Sequence, residues 1–112
     1  MVEVYNKGES AVITIRDESL DIESYPAISK KLRESVDESR GRKIIFDLSR
    51  IKIIDSVGIG LLAMIRNLSL QKGMEVVLAC EDAYTLKVIE VLNAAHSFTI
   101  YRSVMQALER EE

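Results

Sequence analysis

The sequence predicts an α/β layer fold, with a central, mostly parallel β-sheet whose first strand pair is antiparallel, packed with four α-helices. Three observations predict it. Short apolar, β-branched runs alternate with segments of helical period in the order ββαβαβαβα, and strands joined through helices line up parallel. The run "KIIFDL", Lys43 to Leu48, is apolar on both faces, as a strand must be when helices cover its sheet. The chain has 112 residues, 47% of them hydrophobic and 29% charged, with no internal repeat, low-complexity segment or linker. That composition fits one domain over residues 1–112.

Each element has a local reason. Val12–Arg16 is short and β-branched, and Glu3–Tyr5 supplies a weaker partner before a turn at Asn6–Gly8. Tyr25, Ile28, Leu32 and Val36 then recur at helical spacing with charged residues between them. Pro26 fits only in the first turn of that helix, which makes Ser24 the expected N-cap and Gly41 the expected left-handed C-cap. After the strand Lys43–Leu48, the residues Leu61, Leu62, Ile65, Leu68 and Ser69 mark one face of a second helix, closed by Gly73. Met74–Ala79 is another strand. Asp82 caps a third helix with Leu86, Ile89 and Leu92 inward. Phe98–Tyr101 is a short strand, and Ser103 caps a last helix carrying Val104, Ala107 and Leu108. The acidic run Glu109–Glu112 reads as its solvated end.

Composition excludes several functions. Fifteen basic and 18 acidic residues give a net charge of −3, and they alternate along the chain without a basic stripe. Nucleic-acid binding is set aside on that ground. The single cysteine, Cys80, forms no internal disulfide and reads as a small buried hydrophobe. The N-terminus lacks the basic and apolar regions of a signal peptide, and no apolar run approaches the ~18 residues of a membrane helix. The expected compartment is cytoplasmic, with no membrane insertion.

Catalytic signatures are missing too. Ser56 does not stand in a G-x-S-x-G frame, and the only histidine, His96, lies in a Ser/Ala-rich loop. There is no phosphate-binding G-x-x-x-x-G-K-[ST] and no cluster of metal ligands, so no catalytic residue, metal or cofactor is expected. A phosphoacceptor role for Asp47, at the end of a central strand, would need an acidic pair and a lysine. Asp17–Glu18 could be the pair, but only Arg102 follows the last strand, and arginine is a poor substitute for a point-charge lysine. Asp47 is expected instead to cap the loop that follows through its own backbone.

The stretch "IIDSVGIGLL", Ile53 to Leu62, is different. Asp55 or Ser56 would cap the helix, and Ile53 or Ile54 would staple it. Capping does not explain Gly58 and Gly60, each costing roughly 1 kcal/mol in a helix. Glycines help where another backbone or a phosphate must approach a helix start, whose free N–H groups and dipole favour negative charge.

The segment "KIIFDLSRIKIIDSVGIGLLAMIRNLSLQKGMEVVLAC" resembles the core of a STAS domain, the family of bacterial anti-sigma factor antagonists. The family pattern is an apolar strand ending in Asp, a short loop, then D-S-[ST]-G-x-G entering a helix. "VITIRDESLD" is similar to its second strand and turn, with Glu18-Ser19-Leu20-Asp21 where Gly-Glu-Leu-Asp is usual. "FTIYRSVMQALE" resembles its closing strand and helix. The resemblance implies a STAS-like fold and a non-enzymatic role in transcription regulation. The antagonist binds a serine-kinase anti-sigma factor, is released when the kinase phosphorylates the motif, and is restored by a serine phosphatase.

The usual acceptor position is here Val57, which has no hydroxyl, so Ser56 becomes the phosphorylation candidate. The implied partner-binding set is Asp55, Ser56, Val57, Gly58 and Gly60, with Ile59 and Asp21 nearby. The alternative is a non-switched STAS scaffold or a subunit of a transporter-associated or stress-signalling complex.

Overall fold

A computed structural model of the protein describes residues 1–92 and 98–109. Strand β1 (Val2–Lys7) turns at Gly8, whose φ of +60° lies in the left-handed region, and returns antiparallel as β2 (Ser10–Ile15). Beyond β2 every neighbour is parallel, through β4 (Lys43–Asp47), β6 (Glu75–Ala79) and β7 (Thr99–Tyr101), giving one sheet in the order β1-β2-β4-β6-β7. The helices are α1 (Tyr25–Glu38), α2 (Ser56–Gln71), α3 (Ala83–Val91) and α4 (Val104–Glu109). A feature absent from the sequence reading is a separate parallel ribbon of two short strands, β3 (Ser19–Leu20) and β5 (Ile53–Ile54).

Both faces of the central strands are buried, which is why they carry so little polarity. Ile13, Ile15, Ile44, Phe46 and Leu78 face the main core, where Ile28 and Leu32 of α1 and Leu61, Leu62 and Ile65 of α2 meet them. Val12, Ile45, Val77 and Ala79 face the other way onto Ala107 of α4. The period-two alternation of a strand therefore supplies two cores from one sheet. Lys43 starts β4 on the α4 side, and its ammonium donates to the Ala107 carbonyl at 2.7 Å, tying the last helix to the central strand.

One expectation about the helices is refined and two are corrected. Ser24 precedes α1, but its hydroxyl accepts from the Asp21 N–H (2.9 Å), and its own N–H donates to Asp21 Oδ1 (3.1 Å). Ser24 does hold the N-cap position, its carbonyl accepting from the Ile28 N–H at 3.1 Å, but its side chain closes the preceding turn and makes no cap bond. Gly41 does have positive φ (+94°), yet α1 has already ended at Ser39. A Cβ on Gly41 would overlap the carbonyl of Glu9, which accepts from the N–H groups of Arg42 and Lys43 at 2.8 and 3.2 Å. On α3 the inward residues are Thr85 and Ile89, with Leu86 partly buried, whereas Leu92 is exposed.

The other ends agree with expectation. Met74 and Gly73 donate to the carbonyls of Ser69 (3.0 Å) and Leu70 (2.9 Å), the paired bonds of a helix closed by a left-handed glycine, here Gly73 at φ +81°. Asp82 and Ser103 accept from the N–H groups of Thr85 (2.9 Å) and Gln106 (3.1 Å) at the starts of α3 and α4. His96 and the terminal residues 110–112 lie outside the described residues.

Leu62 is fully buried beneath α2. Leu62→Ala is expected to cost about 2–5 kcal/mol in urea unfolding, the range for a leucine cavity that cannot collapse. A cost near zero would mean that this face of α2 does not carry the core.

Candidate functional site

The start of α2 is built against the β3–β5 ribbon. Lys52 and Ile53 both donate to the Glu18 carbonyl (2.7 and 3.0 Å), and Ser19 and Leu20 pair in register with Ile53 and Ile54. The chain reaches Asp55 extended (φ −130°, ψ −174°), the geometry of an N-cap. Asp55 Oδ1 accepts from the Gly58 N–H at 3.0 Å, and Oδ2 accepts from the Ile22 N–H at 3.2 Å. One carboxylate thus joins the helix start to the loop after β3.

Because Asp55 caps, Ser56 does not. Ser56 is the first residue of α2, is exposed, and its hydroxyl makes no hydrogen bond among the described residues. Of the two isoleucines proposed as a staple, Ile54 is buried and Ile53 is 52% exposed. Ile54 and Ile59 hold the two staple positions around the cap and lie in the same core cluster.

The two glycines have different reasons. A Cβ on Gly58 would overlap the Leu20 carbonyl oxygen and sit 2.8 Å from its carbon. The backbone that needs this space is the chain's own β3, a close backbone approach of the kind expected of such a glycine. Gly58 and Ile59 are buried and act from beneath the surface. Gly60 is exposed, and a Cβ there would meet nothing within 4 Å. No contact among the described residues explains that glycine.

Among the other expected residues, Asp21 is half-buried in the turn it shares with Ser24, and Val57 is half-buried beside Ser56. Sequence reasoning missed Ile22, which is 66% exposed, and it did not place Ile53 on the surface. Both flank Asp55, Ile22 through its hydrogen bond and Ile53 through the chain. The available signal was the alternation in "KIID": with Ile54 inward, its strand neighbour must point out.

Away from the start of α2, a cleft of about 590 Å³ opens at the carboxyl ends of the strands and is lined by Asp47, Lys52, Glu81, Asp82 and Arg102 among others. Asp47 Oδ1 accepts from the Ser49 N–H at 3.0 Å, the local loop cap expected of it, and Oδ2 takes a long 3.4 Å contact from Thr14. Asp17 pairs with the N-terminal ammonium, and neither Asp17 nor Glu18 lines the cleft. Among the described residues no three His, Cys, Asp or Glu side chains are grouped to hold a metal ion. Thr85 holds the Asp82 carboxyl below its usual range, first through its N–H and then through its hydroxyl, with Lys52 3.8 Å away adding to the effect. Burial pushes the Cys80 thiol up.

With the geometry established, comparison with known proteins is informative. A family model described as STAS domain matches residues 1–107. The chain belongs to the STAS domain family. Solved structures of the same fold include an anti-sigma factor antagonist from Mycobacterium paratuberculosis, at 21% identity and TM-score 0.83, covering 96% of this chain and 90% of that one. An anti-sigma factor antagonist (STAS) domain protein from Planctomyces limnophilus matches at 19% identity and TM-score 0.82, covering 96% and 93%. The Bacillus cell fate determinant SpoIIAA in its phosphorylated form matches at 18% identity and TM-score 0.67, covering 98% of each chain. No curated protein matches the sequence. Among the described residues of this STAS domain no helix is long and apolar enough to cross a membrane.

The two glycines of the STAS motif give a paired test. Gly58→Ala forces β3 away from α2 and is expected to destabilise by about 1–3 kcal/mol, as overpacking does. Gly60→Ala has open space and is expected to stabilise by about 0.5–1 kcal/mol. Opposite shifts of the urea midpoint are the expected result, and equal shifts would contradict the packing.

Proposed function

We propose that this STAS domain is an anti-sigma factor antagonist that works by docking, without catalysis, in the cytoplasm. The observation that carries the reading is the exposed start of α2. There an unbonded Ser56 and the bare backbone of Gly60 lie on a helix whose cap is flanked by the apolar side chains of Ile22 and Ile53. Small residues let a partner approach closely, and exposed isoleucines give it apolar area to bury. Several structures of the same fold are named as anti-sigma factor antagonists, among them SpoIIAA, which is also known in a phosphorylated form.

The partner is an anti-sigma factor serine kinase, which marks Ser56, and a serine phosphatase resets it. Ser56 is the hydroxyl nearest the cap, since Val57 holds none. A phosphate there brings about −1.5 to −2 charges to the centre of the docking surface, beside Asp55. Like-charge repulsion and the cost of desolvating a dianion then dissociate the complex. The second reading, a scaffold subunit that docks without being switched, is favoured by Val57 and uses the same surface.

Calorimetric titration with the partner kinase tests both. Gly60→Val is expected to lower affinity about thirtyfold or more, the size of an interface hot spot, while the fold is kept. Ser56→Ala should bind as the unmodified protein does, and Ser56→Asp should bind weakly. Incubation with kinase and ATP, followed by phosphopeptide mapping, should place phosphate on Ser56. Phosphate on Ser49 or Ser69 would refute the assignment. Binding that is blocked by Gly60→Val, with no phosphate anywhere, would select the scaffold.

A further inference from the structure

The sheet has two edges of unequal character. β7 is three residues long, whereas β1 runs for six, contains no proline, and pairs on one side only, with β2. A long, unprotected edge is a template for another strand. Its free side can be identified. Arg16 donates its N–H to the Met1 carbonyl at 2.7 Å, and Met1 continues the β1–β2 register opposite Arg16. Odd-numbered residues of β1 therefore bond inward, and the N–H and C=O groups of Val2, Val4 and Asn6 point out of the sheet.

The side chains sort by the same parity. Val2 and Val4 pack against the main core, while Glu3, Tyr5 and Lys7 are exposed together on the opposite face, Tyr5 by 49%. The charges on that face are self-complementary. In an antiparallel pair with Tyr5 opposite Tyr5, each Glu3 faces the Lys7 of the other copy. Glu3 already meets Arg16 through Oε1 at 3.0 Å, which leaves its second oxygen, and Lys7 has no ion pair among the described residues. The same register makes Val4 and Asn6 hydrogen-bonded pairs, and it puts the tyrosines and the Glu–Lys pairs at the closely spaced positions where cross-strand side chains interact most. Shifting by one residue loses both ion pairs.

We infer that β1 is a self-association edge: it pairs antiparallel with β1 of a second copy of this chain about a two-fold axis at Tyr5, continuing the sheet across both molecules. The contact is independent of the docking surface at α2. Sedimentation over a concentration series is expected to show reversible dimerisation. Lys7→Glu and Glu3→Lys each place like charges opposite one another and should weaken it about tenfold or more. An equimolar mixture of the two variants restores both opposite-charge pairs and should recover the dimer as a heterodimer.

Register is read by cross-linking. Residues at closely spaced antiparallel positions suit a disulfide, so Tyr5→Cys should oxidise to a covalent dimer. Glu3→Cys should cross-link with Lys7→Cys and not with itself. Cys80 is buried and does not compete. Thermal melts confirm that each variant is folded. A wild type that stays monomeric throughout, a mixture that fails to associate, or Glu3→Cys cross-linking to itself as well as Tyr5→Cys does would each overturn the inference.

Discussion

The carboxylate of Asp55 is the constraint on which the rest of the site depends. A helix start leaves backbone N–H groups without partners, and the side chain at the cap must satisfy some of them. Here the cap does so with one oxygen, on Gly58, and with the other it reaches Ile22 on a different part of the chain. The β3–β5 ribbon and α2 are thereby fixed relative to each other. The missing Cβ of Gly58 lets them come close enough for this to work, since the Leu20 carbonyl occupies that volume. A serine at position 55 could cap the helix but lacks a second oxygen for Ile22. The aspartate also leaves the next hydroxyl unused, which puts Ser56 on the surface as a free group.

Beneath the site, the sheet provides rigidity by burying both faces of β2, β4 and β6. The main core under α1 and α2 and the smaller one under α4 share the same three strands, so neither helix layer moves without disturbing a packed strand. The motif stands on a well-supported helix whose inner face, Leu61, Leu62 and Ile65, is fixed in that core. Its exposed residues are correspondingly preorganised, and a partner need not order them on binding.

Much of this was legible in the sequence. Alternation of strand and helix patterns carried the element order and the mostly parallel sheet with its antiparallel first pair, and the Gly73 closure and the caps Asp82 and Ser103 followed from residue chemistry at the right spacing. What was not legible depended on contacts between distant segments. Two-residue strands such as β3 and β5 have no periodicity to detect, so the ribbon was invisible, and with it the true neighbour of Gly58. Gly41, and the side chain of Ser24 at its correctly placed N-cap, were misread for a related reason. Each has the composition of a helix cap, but Ser24 is engaged by Asp21 and Gly41 by the Glu9 carbonyl. Leu92 fitted an apolar period that the structure leaves exposed. The cap at Asp55 was legible, while the different surroundings of the two glycines required coordinates.

That cap bears on how a switch at Ser56 would operate. The N–H groups of Gly58 and Ile59 are engaged by the side chain and carbonyl of Asp55. A phosphate on Ser56 would find the first N–H groups of the helix, those of Ser56 and Val57, still available, and the dipole favours it there. It would also lie one residue from a carboxylate that it repels. Such a charge would act twice: it would make the proposed docking surface costly to desolvate, and it would strain the carboxylate that ties α2 to the Ile22 loop. An acceptor at position 57 would lie half-buried, one residue further from Asp55. With no hydroxyl at Val57, a phosphate on Ser56 would sit next to the group that organises the site, so the lack of an acceptor at position 57 need not mean the lack of a switch.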